Sequence, residues 1–167
     1  MDEFDLGAYG MGPDQVCAIC MPNGAEAAVT LLATMCYCTA VPLSAQETSE
    51  ELGKALERTG AELVIVMKGV DNDPITNAAM KLGLSVVQFS PHPYVTGLTS
   101  ANGVVSGRIR LNKEKVPAGP DHTALMLHTS GTSGNQKLVP YSVSTILVGS
   151  ACIAKAWDLG PGDVGLN

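Results

Sequence analysis

The strongest constraint on the fold is an alternation of short, wholly apolar runs with longer stretches of helical periodicity. Val16–Met21 (VCAICM) and Glu62–Met67 (ELVIVM) carry almost nothing polar. Runs of that length between turn residues read as strands buried on both faces. Ala25–Cys38 spaces Ala28, Leu31, Leu32, Met35 and Cys36 as a helix would, which predicts a core-facing helix. Ala40–Leu43 is a further short strand, and Pro42 within it favours an edge or a strand end. Thr48-Ser49-Glu50-Glu51 has the form of a capping box, a hydroxyl followed three residues later by Glu. The helix it opens carries Leu52, Ala55 and Leu56 on one face, and Gly60 stands where a left-handed cap belongs. Lys68–Pro74 reads as a turn, Ile75–Leu82 as a short helix stopped by Gly83, and Leu84–Phe89 as another strand. This order predicts an α/β fold on a mostly parallel sheet with flanking helices.

The rest of the chain divides around that pattern. Residues 1–15 hold Gly7, Gly10, Gly12 and Pro13 and read as a loose opening segment; 16–90 hold the βαβ units. Residues 91–122 are a connector rich in Pro, Gly, Ser, Thr and Asn, with a short strand candidate at Gly103–Ile109. Connectors this long are functional or peripheral as a rule. Residues 123–141 form a strand, a polar loop and a second apolar run that Pro140 is expected to stop. Residues 142–159 form a helix marked by Val143, Ile146, Leu147, Ile153, Ala154 and Trp157, with Ser142 or Ser144 as N-cap. Gly160-Pro161-Gly162 ends it, and Asp163–Asn167 resembles the start of another strand, as though the sequence were truncated there.

Charge and cysteine content narrow the function. The net charge of −6, without a Lys/Arg run, argues against a nucleic-acid or anionic-membrane surface. An anionic ligand would have to be held locally. Five cysteines, an odd number without a disulfide-like framework, suggest a reducing compartment. The expected location is therefore the cytoplasm, with the peroxisome as an alternative. Cys17 and Cys20 have C-x-x-C spacing, but residues three apart on a strand point to opposite faces, so apolar packing is the expected role and no metal site is assigned. Met1-Asp2-Glu3 opens no signal peptide. Ala27–Ala45 approaches the length of a membrane span, but Pro42 interrupts it and Pro22-Asn23-Gly24 turns before it. A helix followed by a strand is the expected reading, with no membrane span.

Chemistry concentrates in Leu125–Tyr141 (LMLHTSGTSGNQKLVPY). After the buried run Ala124–Leu127, Thr129 to Lys137 contain no large apolar side chain. They hold four hydroxyls (Thr129, Ser130, Thr132, Ser133), two glycines (Gly131, Gly134) and one cation, Lys137. Glycines let the backbone turn its N–H groups inward, hydroxyls add donors, and lysine adds charge. Such a concave loop suits the phosphates of a nucleotide; a plain Ser/Gly surface turn fits the composition equally. The P-loop pattern fails because Gln136 precedes Lys137 and Leu138 follows it. The Rossmann glycine fingerprint is absent from the loop. The G-x-S-x-G nucleophile elbow is absent too, since His128 lies two residues before Ser130. His128 is read as a strand-end residue.

Thr129-Ser130-Gly131-Thr132-Ser133-Gly134-Asn135-Gln136-Lys137-Leu138 resembles the phosphate loop of the adenylate-forming superfamily, [ST]-S-G-[ST]-[ST]-G-x-P-K-G. The departures are Gln136 for Pro and Leu138 for Gly. Val16–Gly24 is similar to the family's V-A-I-x-L-P-N-G, and Ala40–Leu43 to part of A-V-x-V-P-L. Thr48–Leu52 is similar to T-x-x-E-L, Gly60–Val66 to S-G-A-K-L-V-I, and Leu159–Asn167 to L-x-P-x-D-V-x-L-N. The resemblance implies part of the large N-terminal domain of an AMP-forming carboxylic acid–thiol ligase of the acyl-CoA synthetase kind. A carrier-protein-linked adenylation domain and a non-catalytic nucleotide-binding fragment are the alternatives. It implies ATP with Mg2+, a small carboxylic acid, and coenzyme A or a phosphopantetheine arm as thiol acceptor, the latter on a carrier domain. Phosphate binding falls by resemblance to Thr129, Ser130, Gly131, Thr132, Ser133, Gly134 and Lys137. No catalytic residue beyond the loop is matched, nor is the C-terminal domain. The chain by itself is therefore expected to be inactive.

Overall fold

A computed structural model describes residues 4–90, 97–100, 119–129 and 137–164. Five apolar or alternating runs form the parallel part of one sheet: β1 (Val16–Cys20), β2 (Thr39–Leu43), β3 (Leu63–Met67), β4 (Ser85–Ser90) and β6 (Thr123–Thr129). Antiparallel strands β5 (Gly97–Ser100) and β7 (Lys137–Ser142) flank them, and the order is β5-β4-β3-β1-β2-β6-β7. The register runs Ala18 against Val41 on one side and Val64 on the other, so β1 is central. The strand at β5 lies in the stretch read as connector; the candidate at Gly103–Ile109 falls outside the described residues.

Helices cover both faces. On one, α2 (Ser49–Thr59) and α3 (Asp73–Lys81) set Leu52, Leu56, Ile75, Ala78 and Ala79 on Ala18, Cys20, Val41, Val64, Val66 and Val86. On the other, α1 (Ala25–Met35) lays Ala27, Leu31 and Met35 beside Cys17, Ile19, Ala40, Leu63 and Ile65. Leu63 through Val66 have no exposed surface, as expected for a strand sandwiched between helix layers. Each such side chain contributes about 1.5–3 kcal/mol relative to exposure. Cys17 and Cys20 fall in opposite clusters, as their spacing on a strand requires.

Local signals set the helix ends. Thr48 Oγ1 accepts from Glu51 N at 3.3 Å while Glu51 Oε2 accepts from Thr48 N at 2.9 Å, a closed capping box. Gly60 ends α2 at φ 68°, and Gly83 turns after α3 with the same φ. Pro74 sits in the first turn of α3, so that helix begins earlier than the turn reading allowed; a first-turn proline has no hydrogen bond to lose.

Three expectations need correction. The loose opening segment is in fact packed. Leu6, in a 3-10 turn at Leu6–Tyr9, is fully buried; Phe4 meets Phe89 edge-to-face at 6.3 Å, and Tyr37 Oη donates to the Phe4 carbonyl at 3.1 Å. The α1 core face is rotated: Thr30 and Thr34 are buried, whereas Ala28, Leu32 and Cys36 are exposed. Apolar residues surround that helix, so periodicity alone could not choose its inner side. Pro140 does not stop β7, because an outermost strand tolerates a residue without an N–H. Helix α4 (Val143–Ala156), capped by Ser142, buries no residue, and Leu147, Val148 and Trp157 are more than 60% exposed. No helix among the described residues is long and apolar enough to cross a membrane.

Thiol reactivity checks the core. Cys36 and Cys152 are exposed; Cys17, Cys20 and Cys38 are buried. Burial pushes the Cys17 thiol well above its ordinary value, with Cys38 adding to it. A maleimide in native buffer is expected to label Cys36 and Cys152 and to spare the other three until denaturant is added; native labelling of all five, by mass spectrometry, would refute the packing. Thr48→Ala is expected to cost about 1 kcal/mol, read as a lower urea midpoint at unchanged slope.

Candidate functional site

The polar turns that follow β1 and β2 gather at the carboxyl end of the parallel sheet, where β6 also ends. Pro22, Asn23 and Gly24 follow β1; Ser44, Ala45 and Gln46 follow β2; Thr129 is the last residue of β6. From β2 the chain crosses back over β1 to β3, whereas from β6 it turns outward to β7. The connections thus leave in opposite directions on the two sides of the β2–β6 boundary. In open α/β sheets that divergence opens a crevice where ligands bind.

Of the residues assigned to phosphate, Thr129 and Lys137 are described, and they close the base of the β6–β7 hairpin as a register pair. Thr129 Oγ1 accepts from Lys137 N at 3.3 Å and donates to the Lys137 carbonyl at 3.4 Å. Both residues are exposed at the sheet end. Ser130, Gly131, Thr132, Ser133 and Gly134 fall outside the described residues. His128 lies next to Thr129, in β6 as expected, with Nε2 buried and without a hydrogen-bond partner among the described residues. Its pKa is lowered, first by burial and then by the charge of Arg58.

Beside the hairpin the sheet end holds a cavity of about 370 Å3, lined by Met21, Pro22, Asn23, Pro42, Leu43, Ser44, Ala45 and Gln46. Ser44 Oγ accepts from Gln46 N at 3.2 Å, which tightens the turn after β2. Cys20 lies under this turn, and burial, with Glu47 beside it, pushes its thiol up to about 11. Glu47 in turn is raised by burial and by Glu51. Sequence reading treated Pro22-Asn23-Gly24 as a turn and assigned nothing to Ser44, Ala45 and Gln46. The available signal was that both follow parallel strands, which brings them to one sheet end.

The sequence pattern of the family described as "AMP-binding enzyme" matches residues 6–167. The chain belongs to that family. Among curated relatives, the chain is 33% identical to oxalate–CoA ligase of Arabidopsis thaliana over 136 residues, 78% of this chain and 25% of the relative. It is 27% identical to sulfoacetate–CoA ligase of Cupriavidus necator, over 93% of this chain and 30% of the relative. Among solved structures, apo MatB from Rhodopseudomonas palustris overlays with a TM-score of 0.71 at 23% identity, covering 95% of this chain and 30% of that one. The N-terminal domain of FACL13 from Mycobacterium tuberculosis gives 0.61 at 18% identity, covering 90% of this chain and 36% of that one. The structural neighbours establish the α/β fold, and the family match assigns it to the AMP-binding enzymes. The chain spans a quarter to under a third of the length of these two relatives.

His128 makes the hairpin pH-sensitive. Its folded pKa lies below the ordinary value of 6.5, so the unfolded chain takes up the proton first as pH falls. Stability is then lost as pH drops through about 6.5 toward the folded value. His128→Gln is expected to flatten the urea midpoint between pH 7.5 and 5.5 relative to the native sequence; equal slopes in both proteins would remove His128 as the cause.

Proposed function

We propose that this chain carries the phosphate-binding part of an ATP-dependent, AMP-forming carboxylic acid–thiol ligase of the acyl-CoA synthetase kind. The observation that carries the reading is the loop's position: its described ends, Thr129 and Lys137, stand at the carboxyl end of β6, beside the boundary where connections diverge. Family membership and the curated CoA ligases among the relatives support the same reading.

In the proposed reaction a carboxylate oxygen of the acid attacks the α-phosphorus of ATP. The bond to the bridging oxygen breaks, pyrophosphate leaves, and an acyl-adenylate forms. A thiol then attacks the acyl carbonyl, loses its proton and expels AMP, leaving a thioester. The first step places negative charge on the departing pyrophosphate, and preorganised donors are most effective there. Thr129, Ser130, Gly131, Thr132, Ser133 and Gly134 would supply hydroxyl and backbone donors, and Lys137 the positive charge. Among the described residues no three His, Cys, Asp or Glu side chains converge. The loop itself offers hydroxyls, amides and an ammonium, so Mg2+ would arrive with the triphosphate.

The proposed acid is small and anionic, in keeping with the oxalate and sulfoacetate ligases among the relatives. Residues 16–167 are assigned to a partial N-terminal domain that does not adenylate an acid unaided. A carrier-linked adenylation domain is the second reading. It is favoured by a 26% match to FR901469 synthetase, of which this chain spans only 1%, so that one segment sits within a very long protein.

Mg-ATP titration tests the loop. Saturable binding is expected, with Lys137→Ala weakening it by roughly tenfold or more, as loss of a charge-assisted contact predicts. Binding that is unchanged in Lys137→Ala would reject the lysine assignment. Acid-dependent pyrophosphate exchange by the chain alone would reject its inactivity.

A further inference from the structure

The hydrogen-bonded ladder that joins the hairpin unit to the sheet is short. Strand β2 is registered with β1 at five consecutive positions, Val16–Thr39 through Cys20–Leu43. With β6 it shares a single pair, Ala40 with Leu125. Pro42, two residues further along β2, has no N–H to offer either neighbour. On the other side of β6 the pairing with β7 shifts between Thr123 and Leu125, directly beside that lone pair.

Burial follows the same division. Within β6, β7 and α4, Ala124 is the one fully buried apolar residue among those described; Leu125 and Met126 reach the two core clusters only as partly buried neighbours. The unit's own contacts are better developed. Strands β6 and β7 pair from Thr123–Ser142 to Thr129–Lys137, and Val143 N and Ser144 N donate to the carbonyls of His122 and Pro120 at 3.0 and 2.9 Å. Among the described residues one side-chain bond crosses the seam: Thr39, at the start of β2 and 5% exposed, donates its hydroxyl to the Thr123 carbonyl at 2.5 Å.

We infer that β6, β7 and α4 open from the β1–β4 core as one cooperative unit, and that Thr39 is the residue pinning it. Regions with few buried apolar contacts and few shared ladder bonds open at lower free energy than the core they adjoin. The opening seam is also the boundary where connections diverge. Among the described residues the hydrogen-bonded tie across that seam is one side-chain bond and one strand pair, beside the packing of Ala124, Leu125 and Met126 against the core. Thr39 is a positioning residue, acting through Thr123 at the far end of β6 from Thr129. This property goes beyond the proposed ligase function and holds whether or not the loop binds phosphate.

Native-state hydrogen exchange of the full chain, read by mass spectrometry in low denaturant, tests it. In the native sequence, peptides from 123–129 and 137–156 are expected to exchange together, faster than peptides from β1, β3 and β4. Thr39→Val should raise exchange in 123–156 by about tenfold, as expected for a carbonyl left without its donor, while β3 and β4 stay unchanged. Thr39→Ser, which keeps the hydroxyl, should retain the native pattern. Equal protection of β6 and β3, uniform acceleration of every strand in Thr39→Val, or no acceleration in 123–156 would each overturn the inference. If Thr39→Val does not fold, the native pattern and Thr39→Ser decide.

Discussion

Burial of the central strands on both faces is the constraint from which the remaining architecture follows, because β1, β2 and β3 carry apolar side chains in both directions. A strand such as Leu63–Val66, with no exposed surface, needs a helix layer above and below it. Parallel pairing supplies these layers, since every return to the starting edge requires a crossover long enough to hold a helix. The order of α1, α2 and α3 and the absence of tight hairpins among β1–β4 are consequences of that requirement.

The same requirement collects function at one end. In a parallel sheet every strand finishes at the same edge, so the turns after β1 and β2 and the end of β6 at Thr129 come together there without being neighbours in sequence. Their composition is polar because the backbone leaving a strand must find partners outside the ladder. A cavity therefore lies between segments as distant as Asn23 and Gln46, at the sheet end where β6 also finishes. The hairpin joins this arrangement through a shorter hydrogen-bonded register than β1 and β2 share.

Much of this was legible in the residues. Apolar runs located β1 and β3, a mostly apolar run located β4, and the hydroxyl–glutamate spacing at Thr48 and Glu51 located the start of α2, where the closed capping box now accounts for it. The polar, glycine-bearing stretch flanked by Thr129 and Lys137 fitted a phosphate-type loop and a plain surface turn equally from composition, and motif order gave the family. Less was legible where apolar residues surround an element. In α1 the buried side is marked by Thr30 and Thr34, and the apolar Leu32 faces out, a choice no periodicity argument makes. Opening residues rich in glycine gave no sign that Leu6 and Phe4 would be held by Phe89 and Tyr37.

By itself the sequence determined the type of most elements, the capped ends of α2 and the family, because each depends on local chemistry: side-chain volume, a cap three residues away, a run of donors. Only the tertiary structure decided strand order, the inner side of α1, the cavity between the turns after β1 and β2, and the Thr39–Thr123 bond across the β2–β6 seam. These depend on which distant segments meet. That is set by how the helices cover the sheet, a property no local stretch of residues carries.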